Sequence, residues 1–342
     1  MAEFVHQDPL VVPAIPAEAT FPDVNGRITF RRFLDADQTT GAVFTVNPDG
    51  SGEVQVTRPR AGFVDRNPDV SPDGRRIVFQ RSGPVMDDIF VVNTDGSGLQ
   101  QLTSTAYPDG NCLPESGECN VTPAWSPDGE RIFFGRAFGP VVDDLPETVV
   151  LFEMRADGTH VRQLTQRDSP GTGATGEDSE PQVSPDSRML LFQRRNVRTA
   201  QPADGVAIWI LDLRTGREHR VTPYPLQAGD TPDWSPDGTR ILFHDNLDTP
   251  DANANLYTIR PDGTGLRQLT FADDGITRYL GSSYSPDGRW IAVGRRPTTG
   301  GTEASSADVF VMRANGTTIR KVTRTELYDS YPDWGPRVDR GH

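Results

Sequence analysis

The chain has 342 residues, with 48 acidic against 34 basic side chains and a formal charge of −14. That charge excludes general nucleic-acid binding, because no positive field is available to displace counterions from phosphates. No apolar run nears the roughly 18 residues of a membrane-spanning helix. Glycine (33) and proline (29) punctuate apolar runs and so read as turns rather than disorder.

Residues 1–23 read as an N-terminal extension. Met1 to Leu10 lacks the basic start and apolar core of a secretory signal, so any leader is expected to lie outside this sequence. Gly26-Arg27-Ile28-Thr29-Phe30 then opens a series of strands that the next fifty residues show in full. Asn67-Pro68-Asp69-Val70 is a short strand a, and Ser71-Pro72-Asp73-Gly74 has the residues of a type I turn in order. Arg76-Ile77-Val78-Phe79 is strand b, and the β-branched run Asp88-Ile89-Phe90-Val91-Val92 is strand c. Asp95-Gly96 turns into strand d, Leu99-Gln100-Gln101-Leu102-Thr103.

Cys112 and Cys119, the only cysteines, stand in a loop rich in Pro, Gly and Asn, with no histidine or second cysteine pair beside them. That favours a disulfide over a metal site and, with it, an exported protein, periplasmic or extracellular. The turn motif recurs as Ser126-Pro127-Asp128-Gly129, Ser184-Pro185-Asp186-Ser187, Ser235-Pro236-Asp237-Gly238 and Ser285-Pro286-Asp287-Gly288, with a truncated copy at Trp334-Gly335-Pro336. Successive copies are 55, 58, 51, 50 and 50 residues apart, the period of a propeller or solenoid. The strand c to strand d half occurs six times, ending at Thr57, Thr103, Thr165, Thr222, Thr270 and Thr323. The first repeat lacks a strand a and the last has one to spare at Tyr331-Pro332-Asp333-Trp334. An all-β, six-bladed propeller of four-stranded antiparallel blades follows, closed by pairing of the C-terminal strand with the N-terminal blade. It would occupy residues 24–337, leaving 338–342 as a tail.

The Ser-Pro-Asp-Gly turn, the following Ile-x-Phe and the Asp-Gly…Leu-Thr ending resemble the repeats of the TolB-type six-bladed β-propeller over nearly the whole chain. Full TolB proteins also carry an N-terminal α/β domain, for which the 25 leading residues leave no room, so the resemblance is to the propeller alone. Related propellers serve as the non-catalytic half of prolyl oligopeptidase-like enzymes and as the scaffold of some oligosaccharide lyases. The resemblance therefore implies a fold more than a function.

Short a–b and c–d turns should share one face, and the long connections (104–120, 136–147, 166–179, 195–205, 244–254, 296–306) the other, where binding is expected. Arg32, Arg81, Arg136, Arg194 and Arg295 each follow a strand b core residue by two positions. They read either as a guanidinium ring for a carboxylate or acidic glycan, or as local ion-pair partners such as Arg81 with Asp88 and Arg295 with Asp308. Asn67, Thr122, Glu180, Thr231, Ser282 and Tyr331 are expected at the channel mouth. Asp245, Asp248 and Asp251 supply oxygens for Ca²⁺ but lack the glycine and glutamate spacing of an EF-hand, so a solvated loop is the ordinary reading and no metal or cofactor is expected.

No nucleophile elbow or phosphate loop is present. These features point to a monomeric module that binds a protein segment or an extracellular glycan through its loop face. The competing reading is a lyase or hydrolase of an acidic saccharide or lactone, with His244 as base.

Overall fold

The computed structural model describes residues 24–84, 86–104, 119–142, 145–166, 176–196, 205–245, 255–271, 277–299, 302–303 and 306–338. Cys112, Asp248 and Asp251 lie outside them, so the disulfide partner and two of the three calcium candidates are not placed. The regular secondary structure of the described residues is all strand apart from one 3-10 turn at Tyr224–Leu226, and no helix among them is long and apolar enough to cross a membrane.

Six antiparallel meanders of four strands follow from the pairing. The chain enters with β1 (Asn25–Phe33), β2 (Gly41–Val46) and β3 (Val54–Gln55). The second meander is β4 (Val64–Val70), β5 (Arg76–Gly83), β6 (Met86–Asn93) and β7 (Gln100–Gln101). The third is β8 (Cys119–Trp125), β9 (Arg131–Val142), β10 (Leu145–Arg155) and β11 (Arg162–Gln163). The fourth is β12 (Gly176–Val183), β13 (Met189–Asn196), β14 (Val206–Asp212) and β15 (Glu218–Arg220). The fifth is β16 (Ala228–Trp234), β17 (Ile241–Asp245), β18 (Leu256–Ile259) and β19 (Arg267–Gln268). The sixth is β20 (Thr277–Tyr284), β21 (Trp290–Thr299), β23 (Asp308–Arg313) and β24 (Arg320–Lys321), with β22 (Thr302–Glu303) folded back on β21. Finally β25 (Asp329–Pro336) pairs with β1 and supplies the strand that the first meander lacks.

Each sequence signature has a local physical job. In the Ser-Pro-Asp-Gly turns the serine hydroxyl accepts the backbone N–H five residues on and donates to the aspartate, as in Arg76 N to Ser71 Oγ (2.9 Å) and Ser71 Oγ to Asp73 Oδ1 (2.5 Å). The Leu-Thr endings compensate for outer strands only two or three residues long. At all six, the threonine hydroxyl accepts a strand c N–H, as in Ile89 N to Thr103 Oγ1 at 2.9 Å. Such short strands leave little unpaired edge for another chain to extend.

The inner strands b and c are buried on both faces, since Ile77, Val78 and Phe79 in succession have no exposure. The meanders stack face to face, and an apolar cluster fills each junction between neighbours. One further cluster joins Ile28, Phe30 and Phe44 of the first meander to Trp290, Val309 and Val311 of the sixth. Part of the expected loop 136–147 is instead strand, because β9 runs on to Val142 and β10 starts at Leu145; β21 likewise continues to Thr299.

Candidate functional site

The strands that line the axis of the molecule are all bulged at one place. Asn67, Thr122, Glu180, Thr231 and Tyr331 have φ of 49°, 50°, 54°, 41° and 52°, and the sixth equivalent is Gly281 at 66°. A register shift accompanies each. Left-handed backbone in five non-glycine residues costs of order 1–3 kcal/mol each, and such strain gathers where side chains must be aimed. Here the bulges turn these side chains into a narrow central channel of about 50 Å³. Ser282 also lines the channel, but it occupies the position that proline holds in the other repeats, one residue after the bulge.

Three carboxylates stand in the channel wall, and each reaches across to the next meander. Asp69 Oδ2 accepts Trp125 N (2.7 Å), Asp233 Oδ2 accepts Tyr284 N (2.7 Å) and Asp333 Oδ2 accepts Val70 N (2.8 Å). Enclosure by protein raises all three above the usual carboxylate range, and their mutual repulsion adds to the rise at Asp69 and Asp233; Asp233 is pushed up to about 7. No group of three or more metal-ligating side chains occurs among the described residues.

Next to the channel a wider polar cavity of about 280 Å³ is lined by Glu177, Glu180, Arg195, Asp245, Arg278 and Tyr331, with Ser179, Gln193, Tyr279 and Leu280. Glu180 and Tyr331 belong to both spaces, so the cavity adjoins the channel on the side of the fourth to sixth meanders. Glu180, Asp245 and Tyr331, three residues singled out in the sequence, are thus brought together. Glu177, Arg195 and Arg278 were missed. Their only sequence signal is alternation: Arg194 and Arg195 are adjacent on one strand and must face opposite sides.

The arginine series has a different placement. Arg81 makes a fork to Asp65 (Nε–Oδ1 2.6 Å, Nη2–Oδ2 2.8 Å), Arg32 to Asp329 (2.7 and 2.8 Å) and Arg194 to Asp178 (2.6 and 2.8 Å). Arg136 donates to Asn120 Oδ1 at 2.8 Å. For these four the partner therefore comes from strand a, and Arg81 takes Asp65 in place of the Asp88 expected at the opening of strand c. Asp88 does lie opposite Arg81, but it accepts Thr103 Oγ1 (2.8 Å) and Asn120 Nδ2 (3.2 Å), tying its meander to the next. The guanidiniums also cover the aromatic pairs of strands b and c, with Arg81 4.9 Å from the Phe90 ring and Arg194 4.6 Å from that of Trp209. Arg295 follows the same rule over Phe310 at 5.4 Å and lies in register between Tyr279 and Asp308. None of the five lines the cavity.

In the fifth meander an acid replaces the arginine and no base faces it on strand a. Asp245 stands where the others have arginine, Ala228 where three of them have aspartate, and Tyr257 Oη donates to Asp245 Oδ2 at 3.3 Å. Burial raises the Asp245 carboxyl, and burial beside that charge pushes the Tyr257 hydroxyl up to about 12. His244, on the other side of the strand, is 1% exposed, and its Nε2 lies 3.1 Å from Ser282 Oγ. Burial lowers it to about 4, so its imidazole is neutral at physiological pH. Cys119 opens β8 and is buried.

No family model matches the sequence. A TolB homologue of Chlorobium luteolum is 36% identical over 107 residues, covering 31% of this chain and 21% of its own length. The chain spans less than half the length of the curated relatives it matches. Among solved structures, TolB from Acinetobacter baumannii superposes with a TM-score of 0.68 at 17% identity, over 92% of this chain and 68% of that one. An oligogalacturonate lyase in complex with manganese gives 0.52 at 16% identity, over 88% and 74%. At these identities the likeness is one of fold, and in fold this chain is a TolB-like β-propeller.

Proposed function

We propose that the chain is an exported, monomeric six-bladed propeller, closed by β25 on the first blade, that acts as an interaction module through its long-loop face. Its ligand is a protein segment or an extracellular glycan. The observation that carries this reading is the charged cavity at the channel, built from side chains of the fourth, fifth, sixth and C-terminal strand groups. The opposite face is occupied by repeated turns whose polar groups are spent on one another. The fold is shared by interaction proteins and by enzymes, so it does not choose between them. His244 argues against the lyase or hydrolase reading, because it is enclosed and held to Ser282 rather than presented to the cavity. Export rests on the cysteine pair, and a mass shift of two hydrogens on reduction of the intact protein is the expected sign of a Cys112–Cys119 disulfide.

The test is a thermal-shift screen of peptide pools and acidic oligosaccharides, with and without EDTA, since a ligand of the folded state raises Tm by mass action. Hits should be lost in a Glu180→Gln, Arg278→Gln double variant and kept in an Asp73→Asn, Asp237→Asn variant of the turn face. Binding abolished by the turn-face changes alone defeats the assignment. Turnover of an oligosaccharide that EDTA or His244→Ala stops favours the enzyme.

A further inference from the structure

The third and fifth meanders carry the same pair of arginines at their turn ends, but what stands between the two differs. In the third, Glu153 of β10 lies between Arg131, which opens β9, and Arg162 of β11. Arg131 Nη1 donates to Glu153 Oε2 at 3.2 Å, and Arg162 donates to Oε1 from Nε (3.0 Å) and Nη2 (2.7 Å). The fifth meander repeats both arginines, as Arg240 just before β17 and Arg267 of β19. In register with Arg267, where the third meander pairs Glu153 with Arg162, stands Thr258. No other repeat has arginine at both places.

Each of these guanidiniums is held by one carbonyl: Arg240 Nη1 donates to Gly265 O and Arg267 Nη2 to Asn315 O, both at 2.9 Å. A carbonyl orients the group without cancelling its charge, and among the described residues neither arginine forms an ion pair. Beside Thr258 lies a cavity of about 190 Å³, lined by both arginines, Thr258, Asp237 and Tyr284. Its hydroxyls give a second, independent sign. Tyr284 is 7% exposed and Thr258 5%, yet neither side-chain hydroxyl has a hydrogen-bond partner. Enclosed hydroxyls are ordinarily bonded. Tyr284 also stands where other repeats have Trp125, Trp234 and Trp334, so the polar tip is particular to this junction. The one acid in the lining is engaged elsewhere, since Asp237 Oδ1 accepts the Ser235 hydroxyl and both N and Oγ1 of Thr239. Two arginines against that acid favour a single negative charge. The space is below the usual size of a small-molecule pocket and suits a carboxylate on a few carbons.

We propose that this cavity is a carboxylate-binding site on the turn face, at the junction of the fifth and sixth meanders. Arg240 and Arg267 take the two oxygens as Arg131 and Arg162 take those of Glu153, while the Tyr284 and Thr258 hydroxyls donate from the sides. A small organic acid and the acidic side chain of a bound protein segment present this same group. The inference goes beyond the loop-face reading, because this cavity shares no lining residue with the one beside the channel.

The experiment follows Tm of the full chain in acetate, succinate and N-acetylglutamate α-amide, against chloride and phosphate at equal ionic strength. Carboxylates should raise Tm beyond chloride by mass action. Thr258→Glu supplies the carboxylate from within, so that variant should melt higher than the parent in chloride and lose the carboxylate shift. Arg240→Gln and, independently, Arg267→Gln should weaken carboxylate binding about tenfold. The Glu180→Gln, Arg278→Gln variant of the loop face should keep the shift, so failure here leaves the interaction-module reading standing. A stronger response to the free acids supports the site with a small molecule as its ligand, and a stronger response to the amide supports it with a protein segment. Equal carboxylate shifts in the parent and in Thr258→Glu mean a general salt effect and overturn the proposal. No shift beyond chloride, or a larger shift with phosphate, overturns it as well.

Discussion

Asp233 faces the channel with its carboxylate raised to about 7, first by burial and then by the charge of Asp333. A carboxyl that titrates higher in the folded state than in the unfolded one binds extra protons on folding between those two values. Its contribution to stability is therefore lost as pH rises from about 4 to about 7. Asp69 and Asp333 act in the same direction. His244, lowered to about 4, opposes them, since unfolding lets it gain a proton below its ordinary value of 6.5. A comparison with Asp233→Asn isolates the aspartate. The variant should gain stability relative to the parent as pH goes from 5 to 8, read as the difference in urea midpoints at each pH. A difference independent of pH would mean that Asp233 is ionised throughout. The residue types of the channel mouth were legible in the sequence, because each occupies a fixed place before the turn motif. The raised carboxylates were not, because the shift comes from residues some fifty or more positions away that only the stacked repeats bring close.

At the scale of the element, the Asp-Gly turns between strands c and d do more than reverse the chain. Gly96 has φ of +85°, and a Cβ there would stand 2.8 Å from the carbonyl oxygen of Val56 in the preceding meander. The same contact recurs at Gly50 with Val322, Gly158 with Leu102, Gly263 with Val221 and Gly316 with Leu269. Gly216 also has a positive φ, 70°, but nothing lies near it. Gly96→Ala should therefore lose backbone freedom and clash with its neighbour, at a cost of about 2 kcal/mol or more, while Gly216→Ala should pay only the conformational part, about 1 kcal/mol. Chemical denaturation of the two variants checks the difference, and equal losses would remove the packing role. The turn chemistry was readable from composition. Its fit against the next meander was not, since it depends on the angle at which sheets stack. The arginine partners illustrate the same limit. Spacing put Arg81 at the loop end of strand b, but both neighbouring strands offer an aspartate there, and the surroundings of Asp88 decide which one it takes.

At the scale of the molecule, β25 pairs with β1 in the register Ile28 with Trp334 and Thr29 with Asp333. Asp333 also accepts Val70 N, so the last strand grips the second meander as well as the first. Gly50 against Val322 and the apolar cluster of Phe30, Phe44, Trp290 and Val311 join the first meander to the sixth. Deleting Tyr331 to His342 should strip these contacts together and lower Tm by 10 °C or more, on the scale of roughly 2–4 °C per kcal/mol for a chain of 150–250 residues. An unchanged unfolding transition would show that the fold does not depend on this strand.

The repeat, its four strands, the turns between them and the surplus strand at the C-terminus were all readable from the residues in order. Those features follow from local chemistry: proline and glycine dihedrals, β-branched alternation and the serine and threonine hydroxyls that stand in for backbone partners. The sequence also named Glu180, Asp245 and Tyr331 as binding candidates without being able to join them. Only the tertiary structure placed these three around one cavity with Glu177, Arg195 and Arg278, and set the forked arginines to bracing the sheets. The reason is that a pocket between repeats depends on how four separate strand ends converge. Periodicity records what each repeat contains, but not which side chains of different repeats come face to face.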